Sequence, residues 1–424
     1  MTSHRLLSTL IRPGLLGLLL LIIAAPQSAR ATSPPRVPQP QPLPTPVPSA
    51  ADAADRYEPA VLRLSISPDR DNGRSLIDLT LIPVRGELVG RRVTIASSDL
   101  AAQLRALYGR LARQEPMGVE DPASPSRQLY RLLLEPLADD LQRLGPPPLL
   151  ISTDPGLQAL PFAALHDGTT YVGERYALAL TPSLSLMPLD VPVGNSAGRP
   201  QLAVGASHFE GLAPLPLVPQ ELDQVSGGQE AQRYIDRAFT PGVLLQKAGE
   251  GGTQRVHVAT HAEFLPGGPN QARIYTGTGP MRLAEFANLR RRRSGAPPLD
   301  LLALSACRTA LGDQDSELGF AGLALQAGAR SAIGTLWYVD DVATSAFFVQ
   351  FYRYLQQGLP KAEALQAVRR AMASGRIRPV GDQVVGPDGQ PLLRQLTESQ
   401  QRRIASGLEH PFYWAGITLL GTPW

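Results

Sequence analysis

From Pro125 onward the chain repeats one pattern: a short run apolar at nearly every position, then a stretch of helix length. The runs are Pro148–Ser152, Gln201–Ala206, Gln254–His261, Leu299–Cys307 and Arg330–Trp337. A strand wetted on one face alternates polar and apolar residues, whereas one that is apolar throughout must be covered on both faces. The intervening segments, among them Gly319–Ala327, Val339–Leu355 and Lys361–Ala373, supply the covers. This order predicts an α/β fold built on a mainly parallel central sheet. Leu129, Leu132, Leu133, Leu137, Leu141 and Leu144 fall on one helical face ahead of the first run. Pro411–Leu420 is expected as the last strand. Residues 374–409 interrupt the alternation and read as an insertion. It has a turn at Gly386–Gly389 and a short helix within Leu396–Leu408.

The part before Pro125 differs. Val61–Ser67 alternates as a strand does, Leu76–Val84 and Arg92–Ala96 continue the pattern, and a helix is expected over Leu100–Leu111. Residues 56–120 are therefore expected as a small α+β unit and a candidate edge extension of the main sheet, with the main domain over 121–424. Residues 32–55 form a linker whose Pro-rich stretch, Pro34 to Pro48, favours polyproline II and cannot build a core. Residues 1–31 have the form of a signal peptide. Arg5 and Arg12 precede the apolar Leu15–Ala25, and Ala29-Arg30-Ala31 fits a small-x-small cleavage pattern. Export to a periplasmic or extracellular compartment is the expectation, with an N-terminal membrane anchor if the leader stays.

Composition excludes some functions. The net charge of +3 in 424 residues gives no basic face for nucleic acid, and Arg290–Arg293 is expected as a solvated loop. The sequence has no Gly-rich phosphate loop of the Walker or dinucleotide type and no Gly-x-Ser-x-Gly elbow of a serine hydrolase, and no small-molecule cofactor is expected. One cysteine rules out a cysteine-built zinc site, and no metal is expected.

That cysteine, Cys307, ends its apolar run, and the carboxyl ends of strands are where open α/β sheets place their ligands. An unpaired thiol is a liability in an oxidising compartment. It is useful as a nucleophile once a base takes its proton, and histidine does this near neutral pH. The chain has six histidines: His4, His166, His208, His257, His261 and His410. His261 also ends an apolar run. If the two strands are neighbours, about 4.8 Å apart, His261 and Cys307 face one cleft. His257 lies four residues before His261, roughly 13 Å along a strand, which is too far for a shared metal ion. His257 is expected as a packed strand residue.

Val256-His257-Val258-Ala259-Thr260-His261 and Leu302-Ala303-Leu304-Ser305-Ala306-Cys307 together resemble the CHAT family of caspase-fold cysteine peptidases, relatives of separases and caspases. Leu160–Leu165, Gly328–Trp337, Asp340-Asp341 and His410–Gly416 extend the resemblance over roughly 125–424. It implies a caspase-like three-layer sandwich and a protein or peptide substrate. It also implies His261 as general acid and base, and Cys307 as nucleophile, with the amides of Cys307 and Ala262 as oxyanion donors. Ala262 departs from the family pattern, in which glycine usually follows the histidine. Alanine keeps the N–H but adopts positive φ only at a cost. If the site needs such a φ, a lost donor would cost about 100–1,000-fold in rate. Asp340, Asp341 and Trp337 are the expected pocket residues. The two aspartates either meet a basic P1 side chain, as the resemblance to separases implies, or cap the helix they open. Trp337 either lines the cleft or fills the core, the cleft being favoured. Asp313, Asp315 and Glu317 form an alternative acidic wall. The reading is an exported cysteine endopeptidase, and the alternative is a non-catalytic protein-binding module of the same fold.

Overall fold

The computed structural model describes residues 56–69, 73–154, 157–181, 184, 191–192, 198–199, 201–227, 232–263, 272–305, 322, 324–325, 327–338 and 340–424. The leader, the Pro-rich linker, Cys307, Asp313, Asp315 and Glu317 lie outside the described residues.

Eleven strands form one sheet. In chain order they are β1 (Ala60–Asp69), β2 (Arg74–Ile82), β3 (Val89–Ala96), β4 (Leu149–Thr153), β5 (Leu178–Thr181), β6 (Gln201–Gly205), β7 (Arg233–Ile235), β8 (Arg255–Ala259), β9 (Leu301–Ser305), β10 (Ser331–Thr335) and β11 (Ile417–Gly421). Across the sheet they run β3-β2-β1-β4-β5-β11-β10-β9-β8-β6-β7. Seven of the ten pairings are parallel, so the sheet is mainly parallel as its apolar runs require. Residues 56–120 are continuous with it, because β1 pairs in parallel with β4, Ala60 opposite Leu149. β11 is antiparallel to β10 and parallel to β5, so two parallel blocks meet there head to tail.

The helices are α1 (Ser97–Ala112), α2 (Pro125–Leu133), α3 (Ala138–Arg143), α4 (Val172–Arg175), α5 (Val218–Val225), α6 (Pro241–Gly249), α7 (Ala287–Arg292), α8 (Asp341–Gln356), α9 (Lys361–Ala373) and α10 (Glu398–Arg403). The chain leaves β6 for the edge strand β7 through α5, then returns through α6 to β8 on the other side of β6. Right-handed crossovers in opposite directions put α5 and α6 on opposite faces. α8 packs on α5 and α9, while α6 packs on α7. The result is three layers, with every residue of β8, β9 and β10 buried. Full burial of a Val or Leu such as Val256, Val258, Leu302 or Leu304 stabilises by about 1.5–3 kcal/mol each.

Three expectations change. The single leucine-faced helix is two, α2 and α3, joined by a 3-10 turn at Glu135–Leu137, because Pro136 has no N–H to continue the ladder. Leu144, at the end of that stripe, is exposed. The arginine run is solvated at Arg290–Arg292 as expected, but it is helical rather than a loop, and its last member is buried. Arg290–Arg292 end α7, and Arg293 is buried with its guanidinium donating to the carbonyls of Ala248, Glu250, Thr253 and Pro297. The insertion holds three short strands, Arg378–Val380, Gln383–Val385 and Pro391–Leu393, followed by α10. Its turn takes the positive φ of Gly389 (+76°). Gln220 fixes it to α5, exchanging hydrogen bonds of 2.8 Å with the backbone N–H and C=O of Arg394. Among the described residues, no helix is long and apolar enough to cross a membrane.

Candidate active site

The parallel neighbours β6 and β8 send their connections to opposite sides, which leaves a crevice at their carboxyl ends, where α/β sheets bind ligands. A cavity of about 350 Å³ opens there. The segment after β6 gives Ala213–Leu215, β8 gives Thr260 and His261, β9 gives Ser305, and the stretch after β10 gives Asp340 and Asp341.

β8 and β9 are adjacent and in register, with Ala259 opposite Ser305, and Thr260 N–H donates to Ser305 C=O at 3.3 Å. His261 follows Ala259 by two residues, as Cys307 follows Ser305 in sequence. The imidazole of His261 is fixed from two sides. Its Nε2 lies 2.8 Å from the carbonyl oxygen of Ala213, and the Phe209 ring lies against it at 4.6 Å. A carbonyl only accepts, so Nε2 carries the proton and Nδ1 keeps its lone pair. A base oriented by a third group is the arrangement that nucleophilic catalysis uses. Ala213 was not legible in the sequence. Its contribution is a backbone atom, and only the Gly- and Pro-rich stretch Gly211–Pro216 hinted at a rigid loop.

Ala262 pairs with Ile274 in the short antiparallel strand Ala262–Glu263, and its φ is not positive. Tyr275 N–H donates to His261 C=O, which makes Ala262 and Ile274 a non-hydrogen-bonded pair. The Ala262 N–H therefore points away from the partner strand, with no strain from its Cβ.

Asp340 caps its helix, one of its two expected roles, and its other oxygen meets an arginine of this chain. Its Oδ1 accepts from the N–H groups of Val342 and Ala343, capping α8, while its Oδ2 accepts from Arg403 Nε at 2.8 Å. Asp341 pairs with Arg403 Nη2. Burial, then the neighbouring Asp340 carboxylate, raises Asp341 above the ordinary aspartate range, and Arg403 opposes them. Below them Glu221, only 2% exposed, binds Ser345 Oγ at 2.6 Å and His257 Nε2 at 2.8 Å. His257 is thus a packed strand residue, also flanked by Phe348 and Tyr352.

Trp337 does not line the cavity. It is 7% exposed, donates from Nε1 to Phe412 C=O at 2.9 Å, and meets the edge of Tyr108. Gly416 lets it in, since a Cβ there would lie 2.6 Å from the indole. The other quoted motifs are also structural. Leu160–Leu165 forms a buried turn, and His410 caps the turn at Pro411–Tyr413 through Nδ1.

Residues 123–422 match the CHAT domain family. The chain belongs to that family. It is also 22% identical over 354 residues to human tetratricopeptide repeat protein 28, covering 70% of this chain and 13% of that protein. Among solved structures it is similar to the Saccharomyces cerevisiae separase–securin complex. At 2.6 Å resolution that comparison gives TM-score 0.46 and 9% identity, covering 86% of this chain and 30% of that one. The complex of the pro- and mature domains of Porphyromonas gingivalis RgpB gives TM-score 0.40 and 9% identity, covering 77% of each chain.

Proposed function

We propose that this CHAT domain is a caspase-fold cysteine endopeptidase, acting outside the cytoplasm after export by its leader. The observation that carries the reading is the pinned His261, at the carboxyl end of the strand next to the one that leads into Cys307. In this reading the Cys307 thiol gives its proton to Nδ1 of His261, and its sulfur attacks the peptide carbonyl. The Cys307 and Ala262 amides hold the oxyanion. His261 returns the proton to the leaving amine as the C–N bond breaks, and water then cleaves the thioester. Asp340 and Asp341 favour a basic side chain on the substrate, because a carboxylate pair suits a guanidinium.

A fluorogenic peptide library varied at P1, used under reducing conditions, tests this. Wild type should cleave some members, with lysine and arginine preferred. Cys307→Ala and His261→Ala should each lose at least about 1,000-fold in kcat/KM. Cleavage unchanged in Cys307→Ala would overturn the reading. Silence across the library with a peptide still retained would favour the binding module.

A further inference from the structure

The acidic pair in the cavity is already occupied. Arg403 reaches it from α10, the last helix of the insertion, with Nε on Asp340 and Nη2 on Asp341. We infer that Arg403 holds Asp340 and Asp341 in cis, and that a basic substrate side chain enters only by displacing it, which makes Arg403 the specificity-determining residue of the pocket. This rests on the peptidase reading above and adds a competitor to it.

Three features support the exchange. First, the two oxygens of Asp340 divide the work: Oδ1 takes the helix amides and Oδ2 takes Arg403. Departure of Arg403 therefore leaves the carboxylate oriented and Oδ2 presented to the cavity. Second, the backbone carrying Arg403 is anchored independently. Thr397 and Gln400 cap α10 reciprocally, and Ile404 is fully buried, so the side chain moves while the helix stays. Third, the Arg403 side chain is 43% exposed. Its partners Asp340 and Asp341 are only 11% and 26% exposed, so the arginine can swing to solvent while the carboxylates stay in the pocket for an incoming guanidinium that makes the same bonds. The insertion thereby gains a role that its sequence did not suggest.

The test separates this inference from hydrolysis. In a Cys307→Ala background, equilibrium binding of a fluorescent tetrapeptide ending in arginine is compared with that of its leucine counterpart. Arg403→Gln should tighten the arginyl peptide about tenfold and leave the leucyl peptide unchanged. Arg403→Lys, which keeps a cation in place, should stay near the parent. A thermal midpoint within a few degrees of the parent establishes that each variant is folded. Equal or weaker arginyl binding in Arg403→Gln would overturn the inference. No arginyl binding by any variant would overturn it too, while leaving thiol-dependent cleavage of other peptides standing.

Discussion

Residue 262 is alanine where the resemblance puts glycine, and its backbone conformation is one that alanine adopts without strain. Ala262 sits in extended pairing opposite Ile274, so the left-handed conformation that would favour glycine is not used. Ala262→Gly should therefore change kcat/KM by less than about threefold, while costing roughly 0.5–1 kcal/mol in urea unfolding. A large gain in activity would contradict this placement. Lys361 gives a second test. Burial pushes it down to about 8 from 10.5, and its bond to Asp300 recovers only part of the loss. Between those values the unfolded chain holds the proton and the folded chain does not, so this group's contribution to stability rises as pH climbs through that window. Denaturant midpoints of wild type minus Lys361→Met should show that rise, and a flat difference would contradict it. His261 was legible in the sequence because it ends an apolar run. Arg403 was not, because its partners lie some sixty residues away on another element.

At the scale of the element, the crevice depends on how closely β6 and α5 approach β8. Gly205 ends β6, and a Cβ there would lie 2.4 Å from the Ala259 carbonyl oxygen and 2.7 Å from Val218 Cγ1. Gly205→Ala should cost about 1–3 kcal/mol by urea denaturation, because backbone and core must both shift. A cost below 0.5 kcal/mol would show that the approach is looser than described. The capping contact Thr240 Oγ1 to Val243 N–H, at the start of α6, should be worth about 1 kcal/mol by Thr240→Ala. Buried runs such as Leu301–Ser305 and Ser331–Thr335 read as strands because they are largely apolar, too short for a helix and separated by segments of helix length. β5 escaped notice because Leu178-Ala179-Leu180 is as apt for a helix as for a strand, and β7 because three residues carry no period. The break at Pro136 was available to sequence reading, yet the leucine spacing hid it.

At the scale of the whole molecule, β1–β3 extend the sheet through β4, and the described residues from Arg56 onward fall in one compact unit. Calorimetry should show one unfolding transition for that unit. A separate early transition lost on removing residues 56–120 would contradict a continuous sheet. The α/β class was readable from the alternation of elements, but the reversal at β10 and β11 was not, since strand direction depends on which partners a strand finds. The family assignment rests on a match spanning residues 123–422. The proposed activation of the Cys307 thiol by His261 can be read directly, because the chain has one cysteine in 424 residues. The measurement is the pH dependence of iodoacetamide alkylation, read as mass gain on the intact protein, for wild type and His261→Gln. The wild-type thiolate should form well below the free-cysteine value of about 8.5, and the variant should return toward it. Superimposable curves for the two proteins would contradict it.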